Sequence, residues 1–358
     1  MPDFAQRNRK GIPMAEDRLF LGYETAFWIW RKAGPLAFSA LTPSRVRSLA
    51  GGAPTRAKVD QFRREHPDLT LDNVDVIASY EDRRRVPGVN LHIKRTPLPD
   101  RSFFRLDDGI FVASPELCLM QLAAELPEPQ VIKLALEMCG SYAIDPIDAT
   151  GGYLFDARDD DESPGICKRP PLTSAAKLDA YAKRLFEPNS RARSAHYLRY
   201  VVDGSASPRE TALFMLLCMP PRFGGYGLAL PELNRRIELT PSEQLMVGAH
   251  HYDCDLYWSH RRVGVEYDSK LHHSANDKQE ADAIRRNMLQ YKGVQVIVAT
   301  RKQVNKPGPF DKLALQIGRA IGKRFRVPEK KHIEARSGLR EILFDWDVLP
   351  ERTEGSLM

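Results

Sequence analysis

Long apolar runs are missing from this chain. No stretch of about 18 apolar residues occurs, so no membrane-crossing helix is expected. The opening MPDFAQRNRKGIPMAEDR lacks the apolar centre and cleavage pattern of a secretory signal. Cysteine is sparse. Cys118, Cys139, Cys167, Cys218 and Cys254 are odd in number, scattered and without C-x-x-C spacing, which excludes a disulfide framework. They read as small buried hydrophobes in a reducing, cytoplasmic setting. His250, His251, Cys254, His260, His272 and His273 match no standard zinc spacing, so a structural zinc site is not expected. Internal repeats are absent, and the one biased tract is acidic.

What is present is the composition of a globular protein: 42% apolar and 28% charged residues in a chain of 358, enough for two domains or three. The net charge is only +6, but it is unevenly placed. Residues 301–340 hold twelve Lys/Arg against three Asp/Glu, and residues 168–200 hold eight against two. Basic blocks on this scale fit a phosphate polymer as partner, although a solvated helix face gives the same count.

Along residues 1–155 the pattern is mixed α/β. An aromatic-rich helix is predicted over 20–34, and two short helices over 41–67, in a helix-turn-helix-like arrangement around Gly51-Gly52. Strands are predicted at 69–80, 88–96 and 109–114, followed by helices from Pro115 and over 129–139. Residues 156–204 read as an acidic, then Pro-rich linker and a basic helical segment. A second domain is predicted over 205–327, in the order helix 207–220, strands 232–239, 253–258 and 261–268, helix 276–292, strand 294–300 and helix 309–325. Residues 328–358 read as a tail.

That second domain carries the chemistry. In DCDLYW, strand alternation puts Asp253, Asp255 and Tyr257 on one face and Cys254, Leu256 and Trp258 on the other. Glu266 and Asp268 share a face of the next strand, with Val263, Val265 and Tyr267 turned toward a helix layer. A short turn at Ser259–Arg261 brings Asp255 and Glu266 together. Two carboxylates converging inside an apolar sheet repel unless a cation lies between them, and a hard divalent ion suits oxygen ligands. Mg²⁺ or Mn²⁺ held by Asp255 and Glu266, with Glu210 assisting from a helix, would polarise a phosphate and activate water. Asp268 and His272 are candidate proton carriers, and Lys270 a candidate for stabilising charge. Arg285, Arg286, Arg301 and Lys302 are candidate phosphate contacts. Ser207-Pro208-Arg209-Glu210 also matches a helix-capping box, which explains Glu210 without catalysis.

The order of these residues resembles the PD-(D/E)xK nuclease superfamily, and within it the branch of very-short-patch-repair endonucleases. The matching elements are Ser207…Glu210, Asp255-Leu256, Glu266-Tyr267-Asp268-Ser269-Lys270-Leu271-His272, Asp282…Arg285 and Gly293…Val296. Asp268 stands where the superfamily has its lysine, as it does in that branch, and Ser269 replaces the usual glycine. The resemblance implies a restriction-endonuclease-like αβββαβ domain cleaving DNA with Mg²⁺ or Mn²⁺. Tyr23-Glu24-Thr25-Ala26 and Val112-Ala113-Ser114-Pro115-Glu116 resemble the AbiEi-type antitoxins of abortive-infection systems, implying bacterial defence or repair and a toxin partner or homodimer. The competing expectation is a DNA-binding regulator without cleavage; RNA is the alternative substrate.

Overall fold

The computed structural model describes residues 17–32, 42–44, 46, 48–69, 71–144, 166–268, 276–323 and 332–345, with the backbone alone at 276–282. No described helix is long and apolar enough to cross a membrane. The fold is α/β with mixed sheets, and its contacts divide into two compact units. One comprises residues to Gln121 with Arg184–Pro188; the other comprises Leu122–Lys183 and the chain from Asn189 onward.

In the first unit, strands β1 (Leu19–Leu21), β2 (Thr42–Pro43), β3 (Val74–Ala78), β4 (Val89–Ile93), β5 (Phe103–Asp107) and β6 (Ile110–Ala113) form one sheet in the order β2-β5-β6-β1-β3-β4. Strand β1 runs parallel to β6 and antiparallel to β3. All three residues of β1 are fully buried, and the Phe20 ring lies 4.9 Å from Phe103 and 5.3 Å from Phe111. The apolar run before Tyr23 has no period that separates a strand from a helix, so β1 merges into the predicted helix. Gly22 makes the junction, because a Cβ there would sit 2.6 Å from Ile77 Cδ1.

Helix α1 (Tyr23–Lys32) buries Ala26, Phe27, Ile29 and Trp30. The Trp30 Nε1–H donates to Ala113 O at 2.7 Å, which ties the helix to β6. Helix α2 (Arg56–Glu65) is capped by Thr55 and inserts Val59 and Phe62. Of residues 41–55, where the first helix of the expected pair falls, the described ones hold β2 and no helix, and 41, 45 and 47 lie outside the described residues. Helix α3 (Pro115–Glu125) follows β6, with Ser114 Oγ accepting from Leu117 N–H at 3.2 Å.

The second unit begins with α4 (Glu128–Met138), a strand pair β7 (Tyr142–Ile144) and β8 (Ile166–Lys168), and helices α5 (Ala175–Lys183) and α6 (Pro188–Leu198). Helix α7 (Pro208–Cys218) is buried along almost its whole length. Then come β9 (Glu232–Glu238), α8 (Pro241–Val247), β10 (His251–Trp258), β11 (Val263–Asp268), α9 (Asn276–Tyr291) and β12 (Gln295–Thr300). Among the described residues three helices follow: α10 (Arg301–Asn305), α11 (Pro307–Ala320) and α12 (Ile333–Phe344). The sheet order is β12-β11-β10-β9; β9, β10 and β11 are antiparallel neighbours, and the crossover through α9 makes β12 parallel to β11.

Helix α7 packs against β10 and β11, and α9 packs against β12. Helix α8 has a full capping box from Thr240 and Glu243. Part of the expected tail is a helix, α12. It packs on α4 and α7, and the buried Lys133 Nζ donates to Ile342 O at 2.6 Å and Asp345 O at 2.7 Å. Carbonyls at a helix end need a donor, and a cation there also meets the negative end of the helix dipole.

Candidate active site

The ladder between β10 and β11 pairs Leu256 with Val265, Tyr257 with Gly264 and Trp258 with Val263. Continuing that register by one step brings Asp255 opposite Glu266. On its other side, β10 pairs Cys254 with Arg235 and Leu256 with Leu233, so Asp255 lies opposite Asn234. Asn234 has φ of 47°, in the left-handed region that asparagine tolerates better than most residues. Asp255 Oδ2 accepts the backbone N–H of Tyr267 at 2.6 Å. A side-chain carboxylate thus takes a donor of β11.

This local break alters the expected alternation. A Cβ on Gly264 would lie 3.0 Å from Cys254 Sγ, yet Gly264 pairs with Tyr257. Cys254 therefore shares the Tyr257 side rather than that of Leu256 and Trp258. The physical reason is the irregular backbone at Asn234 and Asp255, which strict two-residue periodicity cannot carry. Burial of Cys254 itself is complete, and it pushes the thiol up to about 12.

Glu210 reaches the group from the first turn of α7. Ser207 Oγ accepts from Glu210 N–H at 3.2 Å and donates to Glu210 Oε1 at 2.9 Å. Glu210 Oε2 accepts from Ala206 N–H at 2.9 Å and from Asn234 Nδ2 at 2.5 Å. The cap expected at Ser207 forms, with the reciprocal bond going to the backbone of Ala206. Asn234 also donates to Gly204 O at 2.9 Å, so it clamps the loop before α7 to β9. Sequence patterning does not single out Asn234; its one signal is an asparagine inside an otherwise strand-like segment.

Glu266 points toward α9, where Arg285 Nη2 lies 2.8 Å from Glu266 Oε1. The same Arg285 nitrogen donates to Asp253 O at 2.6 Å, and its guanidinium sits 5.4 Å from the centre of the Tyr252 ring. Arg285 is thus placed on an acid of the cluster rather than out toward a phosphate. Tyr267, the next residue of β11, turns to the opposite side, where Arg209 of α7 acts on its phenol. Burial raises that phenol, and its oxygen has no hydrogen-bond partner among the described residues.

The electrostatic result is concentrated at Asp255. Burial, then the charge of Glu210, push its carboxyl up to about 7, and Glu266 adds to the effect. The Tyr267 N–H and Arg285 work in the other direction without cancelling it. The charges of three carboxylates from α7, β10 and β11 are thus felt at one half-buried point.

The remaining candidates lie around this point or outside the described residues. Asp268 ends β11, exposed, paired with Thr300. Thr300 caps α10, which begins with Arg301 and Lys302, so those two cations open at the same end of the sheet as Asp268. Arg286 is exposed on α9. Lys270 and His272 lie outside the described residues, as does the side chain of Asp282.

A divalent cation can be tested against this donor set. Among the described residues no three His, Cys, Asp or Glu side chains form a metal-holding group. Both oxygens of Glu210 already serve as hydrogen-bond acceptors. Asp255 and Glu266 remain as a pair of hard oxygen donors whose mutual repulsion a cation would relieve. Magnesium is commonly bound by one or two carboxylates with water and substrate phosphate oxygens completing its shell, so a two-carboxylate site fits. Comparison with protein-family models, with curated proteins and with solved structures finds no match for this chain.

Proposed function

We propose that the C-terminal unit is a divalent-metal-dependent endonuclease of the PD-(D/E)xK type, hydrolysing phosphodiester bonds in DNA. The observation that carries this reading is Asp255, a half-buried carboxylate set among two other acids where the β9–β10 ladder skips a pair. A buried charge that faces like charges is costly, and such sites are disproportionately functional. The helix–three strands–helix–strand order, with α8 inserted, agrees with the αβββαβ pattern that the sequence resembles.

Asp255 and Glu266 would hold the ion. When bound, the ion would polarise the phosphate and lower the pKa of a water molecule. Glu210 fixes the loop and the start of α7 while adding negative charge beside Asp255. Arg285 positions Glu266 through its ion pair. Asp268, Lys270 and His272 remain the candidates for proton movement and charge stabilisation, and Arg301 and Lys302 for phosphate contact.

A second reading, a DNA-binding regulator that does not cut, draws support from the Arg285–Glu266 ion pair, which offsets the charge of that carboxylate without a metal. Supercoiled-plasmid cleavage with Mn²⁺ or Mg²⁺ separates the two. Nicking by the wild type and none by a folded Glu266→Ala variant is the expected result. Nicking by both contradicts the assignment, and DNA binding without nicking by either moves it to the regulator.

A further inference from the structure

A cleft of about 540 Å³ opens on the second unit beside the edge strand β12, lined by Gln295, Lys312, Leu315, Gln316, Arg319 and Ala320. Lys312, Gln316 and Arg319 are spaced four and three residues apart on α11, so they share one helix face, and all three are exposed. Gln295 pairs with Val263 at the start of β12, the end of the sheet opposite Asp268 and Thr300.

Two more cations stand at this end. Arg261 and Arg262 belong to the turn between β10 and β11, and both are exposed. The Arg261 guanidinium comes within 2.8 Å of where a Cβ on Gly322 would lie, just past the end of α11. Arg262 donates to Lys292 O at 3.4 Å, and its backbone has φ of 52°, an unfavourable value for a residue with a side chain. Among the described residues none of Lys312, Arg319, Arg261 or Arg262 forms an ion pair with a carboxylate, and no acid lines the cleft. Four cations gathered without an acid around one concave feature, with two amide side chains and a small apolar floor, make a site for a polyanion.

We infer that this cleft is a second anchoring site for a nucleic-acid backbone, with Lys312 and Arg319 contacting phosphates and Arg261 and Arg262 at its rim. It rests on the reading of the chain as a nucleic-acid enzyme, but not on cleavage. Geometry supplies the connection. From Gln295 to Thr300, β12 covers roughly 16 Å, close to five phosphate steps of about 3.4 Å along one strand of a duplex. A duplex lying along this edge reaches the cleft while another part of it stands at the Asp255 end. The cleft residues are paired amides and cations without an aromatic platform, which suits backbone contact rather than the reading of bases.

The test is fluorescence anisotropy with the full chain in EDTA, so that scission plays no part. The probes are a labelled 20-base-pair duplex and a single-stranded RNA, measured over a series of salt concentrations, with anionic phosphatidylserine vesicles as a separate arm. Lys312→Glu with Arg319→Glu is expected to weaken duplex binding at least tenfold near 0.1 M salt, and to reduce the salt slope by about 2, one for each phosphate the variant no longer neutralises. Lys312→Gln with Arg319→Gln should fall between that variant and the wild type, and thermal melting checks that both fold. RNA bound more tightly than the duplex, with the same loss on substitution, keeps the cleft and assigns it to RNA. Unchanged affinity and slope in the charge-reversed variant overturn the proposal. Binding to vesicles but to neither nucleic acid also overturns it. A variant-sensitive complex with DNA that is never cut leaves this site standing while removing the endonuclease.

Discussion

Two aspartates on strands, the buried Asp75 of the first unit and the half-buried Asp255 of the second, are treated in opposite ways. In the N-terminal unit Asp75 is only 2% exposed, and donors surround it. Thr25 offers its N–H at 3.2 Å and its hydroxyl at 3.3 Å, His92 lies at 2.9 Å, and Asn90 Nδ2 at 3.3 Å. The Tyr23 ring stacks on His92, with centroids 3.5 Å apart. Both carboxylate oxygens are engaged, and the group acts as a knot joining α1, β3 and β4. In the C-terminal unit Asp255 receives one backbone N–H and faces Glu210 and Glu266. A buried acid with a full set of donors holds a fold together. A half-buried acid set among acids is held by the fold and leaves a demand for positive charge.

The largest expected effect is on cleavage. Glu266→Ala should reduce plasmid nicking by about a hundredfold or more, since it removes one of the two carboxylates proposed to hold the ion. The equivalent loss at Asp75 should appear in stability instead. Asp75→Ala strips a buried partner from Thr25, His92 and Asn90, which costs about 3–5 kcal/mol. A drop in Tm of roughly 10 °C or more in the N-terminal transition is the expected reading.

Asp255→Asn should do the reverse of Asp75→Ala. Because the folded protein raises this carboxyl to about 7, it binds that proton more tightly than the unfolded chain does. The group therefore supports the fold fully below about pH 4, the unfolded aspartate value, and that support is lost as pH rises through 7. Asparagine keeps an oxygen for the Tyr267 N–H but carries no charge. Its Tm should exceed that of the wild type by several degrees at pH 8, with the gap closing toward pH 4. A lower Tm at pH 8 would place Asp255 in the same class as Asp75.

Smaller effects sharpen the contrast. Arg285→Met leaves Glu266 without its cation, so stability without added metal should fall while the gain in Tm on adding Mn²⁺ grows; an unchanged gain argues against a shared claim on Glu266. Arg301→Ala and Lys302→Ala should each weaken duplex binding a few-fold and lower the salt slope by about one.

The C-terminal unit is largely legible in the sequence because its elements are long and punctuated. Pro208 and Ser207 open α7, Gly293 follows α9, and β10 to β12 are apolar runs of strand length. The approach of Asp255 to Glu266 follows from counting back across the hairpin. What periodicity cannot convey is the break at Asp255, since Asn234 in the left-handed region and a carboxylate bonded to a backbone N–H are tertiary choices. Arg285 reads as a phosphate contact because an exposed-looking helix position gives no hint of the acid that β11 brings beneath it. Less legible are β1 and β5 of the first unit and β7 and β8 of the second; three of these have three residues each, too few to show alternation. The buried Asp75 knot escapes for a related reason, because its partners come from positions 25, 90 and 92 and no local motif joins them.

The most direct test of the central claim is thermal unfolding of the full chain at pH 8, with and without millimolar Mn²⁺, in wild type and Asp255→Asn. A cation that occupies the acidic group stabilises only the folded form. Mn²⁺ should clearly raise the Tm of the wild type and raise that of Asp255→Asn little or not at all. Equal shifts in both proteins, or none in either, would contradict it.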